Sequence, residues 1–228
     1  MDFFDSLIND TENLLENYNC THFNVTDDSW TDIGYNQVIL QRDTAFELDG
    51  VGFNLVTTSP IKSEIIVVGD DCKDISESRN FVRVSIIEID AIDDEQKAYN
   101  LIRKIEYVKY HYFPDGYMIR TTSSSHKENV RVSKTAIKDG IGFQKIGNLL
   151  ISKYKEIPSV KNVKVIFATD KSLNLEPFSK IAVKNNEITK ALNHIMNTVN
   201  FDCDTCNLKA ICDEVEGMRE LHFKSVEK

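Results

Sequence analysis

AFELDGVGFNLV (residues 45–56), EIIVVG (64–69) and FVRVSIIEID (81–90) decide the fold class. Each is rich in β-branched and aromatic residues and bounded by turn formers, the signature of a strand. After them the periodicity changes. Asp93-Asp94 opens a segment in which Ala98, Leu101, Ile102, Ile105, Val108 and Tyr112 share one helical face, and Pro114 and Gly116 close it. A short strand is expected at 117–122, then a polar loop, SSSHKEN (123–129). VRVSKTAI leads from there into a second helix that carries Ile146, Leu149, Leu150 and Tyr154 and is stopped by Pro158. VKVIFAT (163–169) reads as a buried strand and residues 186–199 as a last amphipathic helix. Strands and helices are interleaved without the strict alternation of a doubly wound sheet. The expected class is therefore α+β, a mixed sheet with packed helices.

Outward from this centre the chain changes character twice. Residues 2–18 carry Phe3, Phe4, Leu7, Ile8, Leu14 and Leu15 at helical spacing between acidic residues, which predicts an N-terminal amphipathic helix with one stripe packed against the rest. Residues 19–36 are polar and turn-rich and read as a connection. At the other end, residues 200–228 form a small Cys-rich tail. The expected organisation is thus 1–36, 37–199 and 200–228.

The 228 residues are 41% hydrophobic and 28% charged, enough apolar material for a core and too ordered a composition for a disordered chain. A net charge of -9 repels phosphate backbones, and no Lys/Arg block offsets it locally, so nucleic acid is not an expected partner. Small anions are still compatible with it, because a few converging cations outweigh the net charge within about 8–10 Å. No stretch approaches the ~20 apolar residues of a membrane helix. The acidic start is unlike a secretory or transit peptide, which makes the cytoplasm the expected compartment.

The sharpest chemical signal is Cys203-x2-Cys206-x5-Cys212, three of the five cysteines. Two thiolates separated by two residues can turn inward on one bend, and a third can close the site from the next turn. Soft ligands of this kind favour an iron–sulfur cluster or zinc over magnesium or calcium. His222 is a candidate fourth ligand; Cys72, in the turn GDDCKD, and Cys20 are others, although an isolated Cys is more often a small buried apolar residue. His111, His126 and His194 have no partner at ligand spacing and read as ordinary surface or interface residues. Gly140-x-Gly142 lacks the rest of any phosphate-loop fingerprint and reads as a turn before a helix.

VRVSKTAIKDGIGFQKIGNLLISKYKEIPSVKNVKVIFATD (130–170) resembles the middle part of the beta subunit of the carbon monoxide dehydrogenase/acetyl-CoA synthase complex. TAFEL (44–48), SEIIVVGDD (63–71) and the strand–helix pair 82–113 follow that family's order, so the likeness covers roughly residues 40–170. In the family, cysteines just downstream hold a four-iron four-sulfur cubane bridged to nickel, where an acetyl group is assembled and passed to CoA. The resemblance implies that Cys203, Cys206 and Cys212 match the first three of those cysteines, with His222 standing near the fourth position. It also implies a CoA path on the middle domain, with Arg131, Arg120 and Lys134 as candidate phosphate grips. The competing reading of those three is ordinary solvated charge, and spatial convergence decides between them.

This chain also departs from the family pattern. It contains no Cys-Gly-Cys tripeptide, which in the family binds the distal nickel, and residues 1–28 are expected to be too short to stand in for the family's amino-terminal domain. Nickel and the complete acetyl-CoA synthase reaction are therefore not expected from this chain alone. The expectation is a small relative that binds an iron–sulfur cluster, most simply 4Fe-4S, and serves as an accessory or electron-transfer protein in anaerobic one-carbon metabolism. Its partner would be a carbon monoxide dehydrogenase/acetyl-CoA synthase-type subunit or another redox protein. The alternative is a zinc-stabilised or CoA-binding module without catalysis.

Overall fold

In the computed structural model, which describes residues 4–92, 94–122 and 126–196 together with Ile211, the strand-rich runs assemble one seven-stranded mixed sheet. The longest strand, β2 (Thr44–Thr57), is buried on both faces from Gly50 onward, which is why it reads as a continuous apolar run and not as an alternation. With β1 (Cys20–Asn24), β3 (Glu64–Val68), β4 (Arg79–Ile89), β5 (Tyr117–Thr121), β6 (Lys127–Ser133) and β7 (Val160–Ala168), the order is β1-β3-β7-β4-β2-β6-β5. The β3/β7 and β4/β2 pairs are parallel and the remaining pairs antiparallel. The expected α+β class with a mixed sheet holds.

Helices cover both faces. One face carries Phe81 of β4 and Phe167 of β7, and against it lies α4 (Phe143–Lys155), whose Phe143 ring sits 4.8 Å from Phe167 and 6.2 Å from Phe81. The carboxylate of Asp71 caps this helix from another loop by accepting the Phe143 N–H at 2.8 Å, while also holding the Cys72 N–H. A carboxylate thus already occupies the helix start behind Gly142, in keeping with a turn there and not a phosphate loop. On the opposite face, α1 (Asp5–Leu15) and α5 (Leu175–Met196) pack against each other and against β2. Asp5 accepts a hydrogen bond from Thr57 Oγ1 at 2.8 Å and Glu12 pairs with Lys164 of β7 at 3.0 Å. Leu7 and Leu15 are buried, as the amphipathic pattern predicts.

β6 pairs with β2 only as far as Val51, which leaves the edge of β2 beyond that point open. There α2 (Glu95–Tyr107), N-capped by the Asp94 carboxylate on the Lys97 N–H, reaches Asn54 of β2 through Glu106. A short 3-10 turn (Val108–Tyr110) continues α2, and α3 (Lys134–Lys138) follows β6 directly.

Two parts of the sequence reading are corrected. KEN (127–129) belongs to a strand and not to a loop, and the VRVS that follows continues that strand before any helix begins. CTHFN, inside the expected connection, is edge strand β1. The rest of that connection is pinned: Trp30 Nε1 donates to the Asp115 carbonyl at 2.7 Å, and Asn148 of α4 holds both Thr26 and Asp28.

Candidate functional site

Arg131, Arg120 and Lys134 lie at one end of the sheet. Arg120 of β5 faces Asn129, and Arg131 of β6 faces Met118, so the two arginines are diagonal neighbours on one face. Arg120 is exposed. Arg131 pairs with Glu47 of β2 at 2.8 Å and reaches the Ile39 carbonyl at 3.4 Å. Lys134 Nζ donates to the Arg42 carbonyl at 2.9 Å. Two of the three cations thus converge on one segment, residues 37–43, where Val38 and Leu40 are exposed beside a surface cavity of about 490 Å³. Glu47 offsets the charge of Arg131, which weakens that side chain as a free anion grip.

Cys203, Cys206, Cys212 and His222 lie outside the described residues. Cys72 is fully buried, and burial, seconded by the Asp71 carboxylate, pushes its thiol well above the usual range. An inert core thiol of that kind is no ligand. Cys20 is exposed, with its Sγ 3.4 Å from the Tyr18 carbonyl. Among the described residues no group of three or more His, Cys, Asp or Glu is placed to hold a metal ion.

The most heavily built polar feature lies inside the sheet, among residues the sequence reading did not single out. Arg83 of β4 and Glu128 of β6 flank Gly52 of β2 on one face and form a buried ion pair, their side chains 5% and 2% exposed. Arg83 Nε donates to both Glu128 oxygens at 2.9 and 3.0 Å, and Nη2 donates to Oε2 at 2.9 Å. Nη1 serves Asn54 Oδ1 at 3.1 Å and Ser85 Oγ at 3.0 Å. A Cβ on residue 52 would run into the Glu128 carboxylate, so the pair requires glycine there. Burial alone disfavours the Arg83 charge, but the charge and hydrogen bonds of Glu128 outweigh it and hold the guanidinium protonated above its ordinary range. Tyr154 of α4 donates to Asn54 Oδ1 at 2.8 Å, and burial pushes its hydroxyl up to about 12.

From Asn54 the network runs outward. Its Nδ2 donates to Glu106 Oε1 at 3.0 Å, and Lys109 Nζ donates to Glu106 Oε2 at 3.1 Å. Here α2 and α5 enclose a cavity of about 520 Å³. His126, just before β6, forms part of its wall. The residue is only 6% exposed, and neither ring nitrogen has a hydrogen-bond partner among the described residues. Its backbone sits at φ 50, a sparsely populated region for a non-glycine residue, and is held there by the Gly52 N–H, which donates to the His126 carbonyl at 2.9 Å. A buried polar group without a partner costs about 1–3 kcal/mol. The expectation of an ordinary surface or interface histidine is thus corrected at His126. His111, by contrast, is exposed and stacks on Tyr107 at 6.4 Å. One signal could have marked the region beforehand: Arg83 and Glu128 interrupt otherwise apolar strand faces, each asking for an opposite charge elsewhere.

No helix among the described residues is long and apolar enough to cross a membrane. No curated protein matches the chain. The family model for CdhC, the CO dehydrogenase/acetyl-CoA synthase complex beta subunit, matches residues 34–173, from the approach to β2 through β7. That span carries the buried ion pair, Gly52, His126 and the Arg120/Arg131/Lys134 end of the sheet, and since it is well over half of the sequence, the chain belongs to the CdhC family of CO dehydrogenase/acetyl-CoA synthase complex beta subunits.

Proposed function

We propose that this protein is a relative of the acetyl-CoA synthase beta subunit that acts as an accessory or electron-transfer unit of a CO dehydrogenase/acetyl-CoA synthase-type assembly. In this reading the CdhC-type sheet is the rigid body, and the segment after α5 holds an iron–sulfur cluster on Cys203, Cys206 and Cys212, with His222 as candidate fourth ligand. One observation carries it: a CdhC match ends at residue 173 and is followed by three cysteines at C-x2-C-x5-C spacing. A bound cluster would supply one-electron transfer. The chain's own contribution would be the thiolate donors and, on the sheet, the exposed Arg120 with Lys134 and the Glu47-paired Arg131, cations that could meet a partner's acidic surface or the phosphates of CoA.

The test is expression and purification without oxygen, followed by iron, acid-labile sulfide and zinc analysis. Stoichiometric iron and sulfide, a reducible visible band, and loss of both in Cys206→Ser support the reading. Stoichiometric zinc in place of iron would convert the tail to a structural clasp, and a metal-free protein after cluster reconstitution would overturn the redox role. Calorimetry with CoA on the wild type and on Arg131→Ala addresses the rim separately: equal heats from the two would remove Arg131 from any CoA path.

A further inference from the structure

At one end of the sheet β1 (Cys20–Asn24) pairs with β3 and with no second strand. The phase of its hydrogen bonds is set by the bond just before it, in which the Gly69 N–H donates to the Asn19 carbonyl at 3.3 Å. That pair continues the register Cys20↔Val68, and bonded pairs alternate along an antiparallel ladder. Thr21 and Phe23 therefore spend their N–H and C=O groups on Val67 and Ile65, while Cys20, His22 and Asn24 direct theirs away from the sheet. Among the described residues no partner meets these outward backbone groups.

Native sheets blunt an open edge with a charge, a proline, a bulge or a covering loop. The opposite edge follows that rule. There β5 exposes Arg120, and the chain before β2 lies beside it: Gln37 Oε1 accepts the Gly116 N–H at 2.7 Å and the Ile39 N–H donates to Met118 Sδ at 3.4 Å. CTHFN has no Lys, Arg, Asp, Glu or Pro, and its register with β3 runs without a shift.

This edge is its own complement, because the outward residues are symmetric about His22. Laid antiparallel across a two-fold axis at His22, Cys20 faces Asn24 of the second copy, His22 faces His22 of the second copy, and every outward N–H meets an outward carbonyl. A slip of one residue sets outward groups against inward ones, and a slip of two leaves an outward residue of each copy unpaired. No charged residue lies on the strand, so the net charge of -9 stays out of the pairing. On the other face the half-buried Phe23 comes opposite Thr21 of the second copy, a favourable aromatic–β-branched pair.

We propose that the chain forms a two-fold dimer through β1, joining the sheets of two copies edge to edge. A strand pair of this length is a small interface, so the dimer is weak and concentration-dependent.

The experiment is sedimentation velocity of the full chain under reducing conditions, from about 1 μM to about 1 mM, where the species should move from one chain mass toward two. His22→Pro removes an outward N–H at the axis and leaves the bonds to β3 in place, so circular dichroism should match wild type while the dimer dissociation constant rises about tenfold or more. His22→Ala keeps the N–H and should dimerise like wild type. The register has its own readout, Asn24→Cys in the otherwise unchanged chain. Bonded partners lie about 5.5 Å apart at Cα, within disulfide reach, whereas positions 20 and 24 of one strand are roughly 13 Å apart. Mild oxidation with copper–phenanthroline and peptide mapping should find Cys20 of one copy linked to position 24 of the other. One chain mass across the whole range overturns the proposal, as does a dimer equally strong in His22→Pro or an oxidised dimer without the 20–24 link. A dimer held through the cysteine tail would survive His22→Pro, so the outcome stands apart from whether those cysteines carry a cluster.

Discussion

Replacing Glu128 with Gln tests whether the Arg83–Glu128 pair holds the sheet together. The carboxylate accepts three hydrogen bonds from one guanidinium, at 2.9, 3.0 and 2.9 Å, in a space where the two side chains are 5% and 2% exposed. Gln supplies one acceptor oxygen and one NH2 group, so at least one Arg83 N–H would point at another donor while the guanidinium stayed charged and dry. Stranding one partner of a buried pair costs about 3–5 kcal/mol, a large share of the 5–15 kcal/mol typical of a folded domain. Arg83→Met should cost a similar amount by stranding the carboxylate. The double variant Arg83→Met/Glu128→Leu removes both charges and is expected to be more stable than either single one, because the desolvation cost leaves with the pair. Urea unfolding followed by the fluorescence of Trp30, the one tryptophan in the sequence, and by circular dichroism gives all four corners of the cycle. Single-variant losses below about 1 kcal/mol, or a double variant that loses the sum of the singles, would refute this account of the network.

Further outcomes follow from other parts of the fold. A Cβ on Gly147 would lie 2.6 Å from Ile65 Cγ1, so Gly147→Ala should lose about 1–3 kcal/mol despite its better helix propensity, and a urea midpoint at or above wild type would contradict that packing. In peptide-mapped iodoacetamide labelling of the native chain, Cys20 should be modified and Cys72 spared until urea is added; early labelling of Cys72 would mean that its loop opens readily. The folded-state pKa of His126 lies below its unfolded value, so the unfolded chain takes up the proton first as the pH falls. The contribution of His126 to stability is therefore complete above about pH 6.5 and is lost as the pH drops from there toward the folded value. Between about pH 7.5 and pH 5.5 the wild type should lose more stability than His126→Gln, and parallel losses would place the ring in water.

What the sequence disclosed and what it hid divide along physical lines. Strands β2 and β4 were legible because most of their length is buried on both faces and so written in apolar residues, β3 and β7 because β-branched and aromatic residues run through them, and α2 because its apolar stripe follows a capping Asp94. β6 was missed because the position that should open its inward alternation is Glu128, followed by Val130 and Val132. Its charge makes sense only beside Arg83, 45 residues earlier in the chain. β1 was missed because an edge strand with one partner and mostly exposed residues carries little apolar signal. His126 could not be singled out because its burial depends on α2 and α5 closing over it, a contact between segments far apart in sequence. The order of the family segments needed no long-range contact to be seen.

The two helices on the far side of the sheet, α1 and α5, lie outside the residues that the family model matches, one before them and one after. They touch each other and both pack on β2, whose Val51, Phe53 and Leu55 are buried. Trimming the polypeptide to its family limits would strip away that roof and leave a greasy plane open to water. The matched span is therefore half a sandwich, and the helices flanking it supply the missing slice.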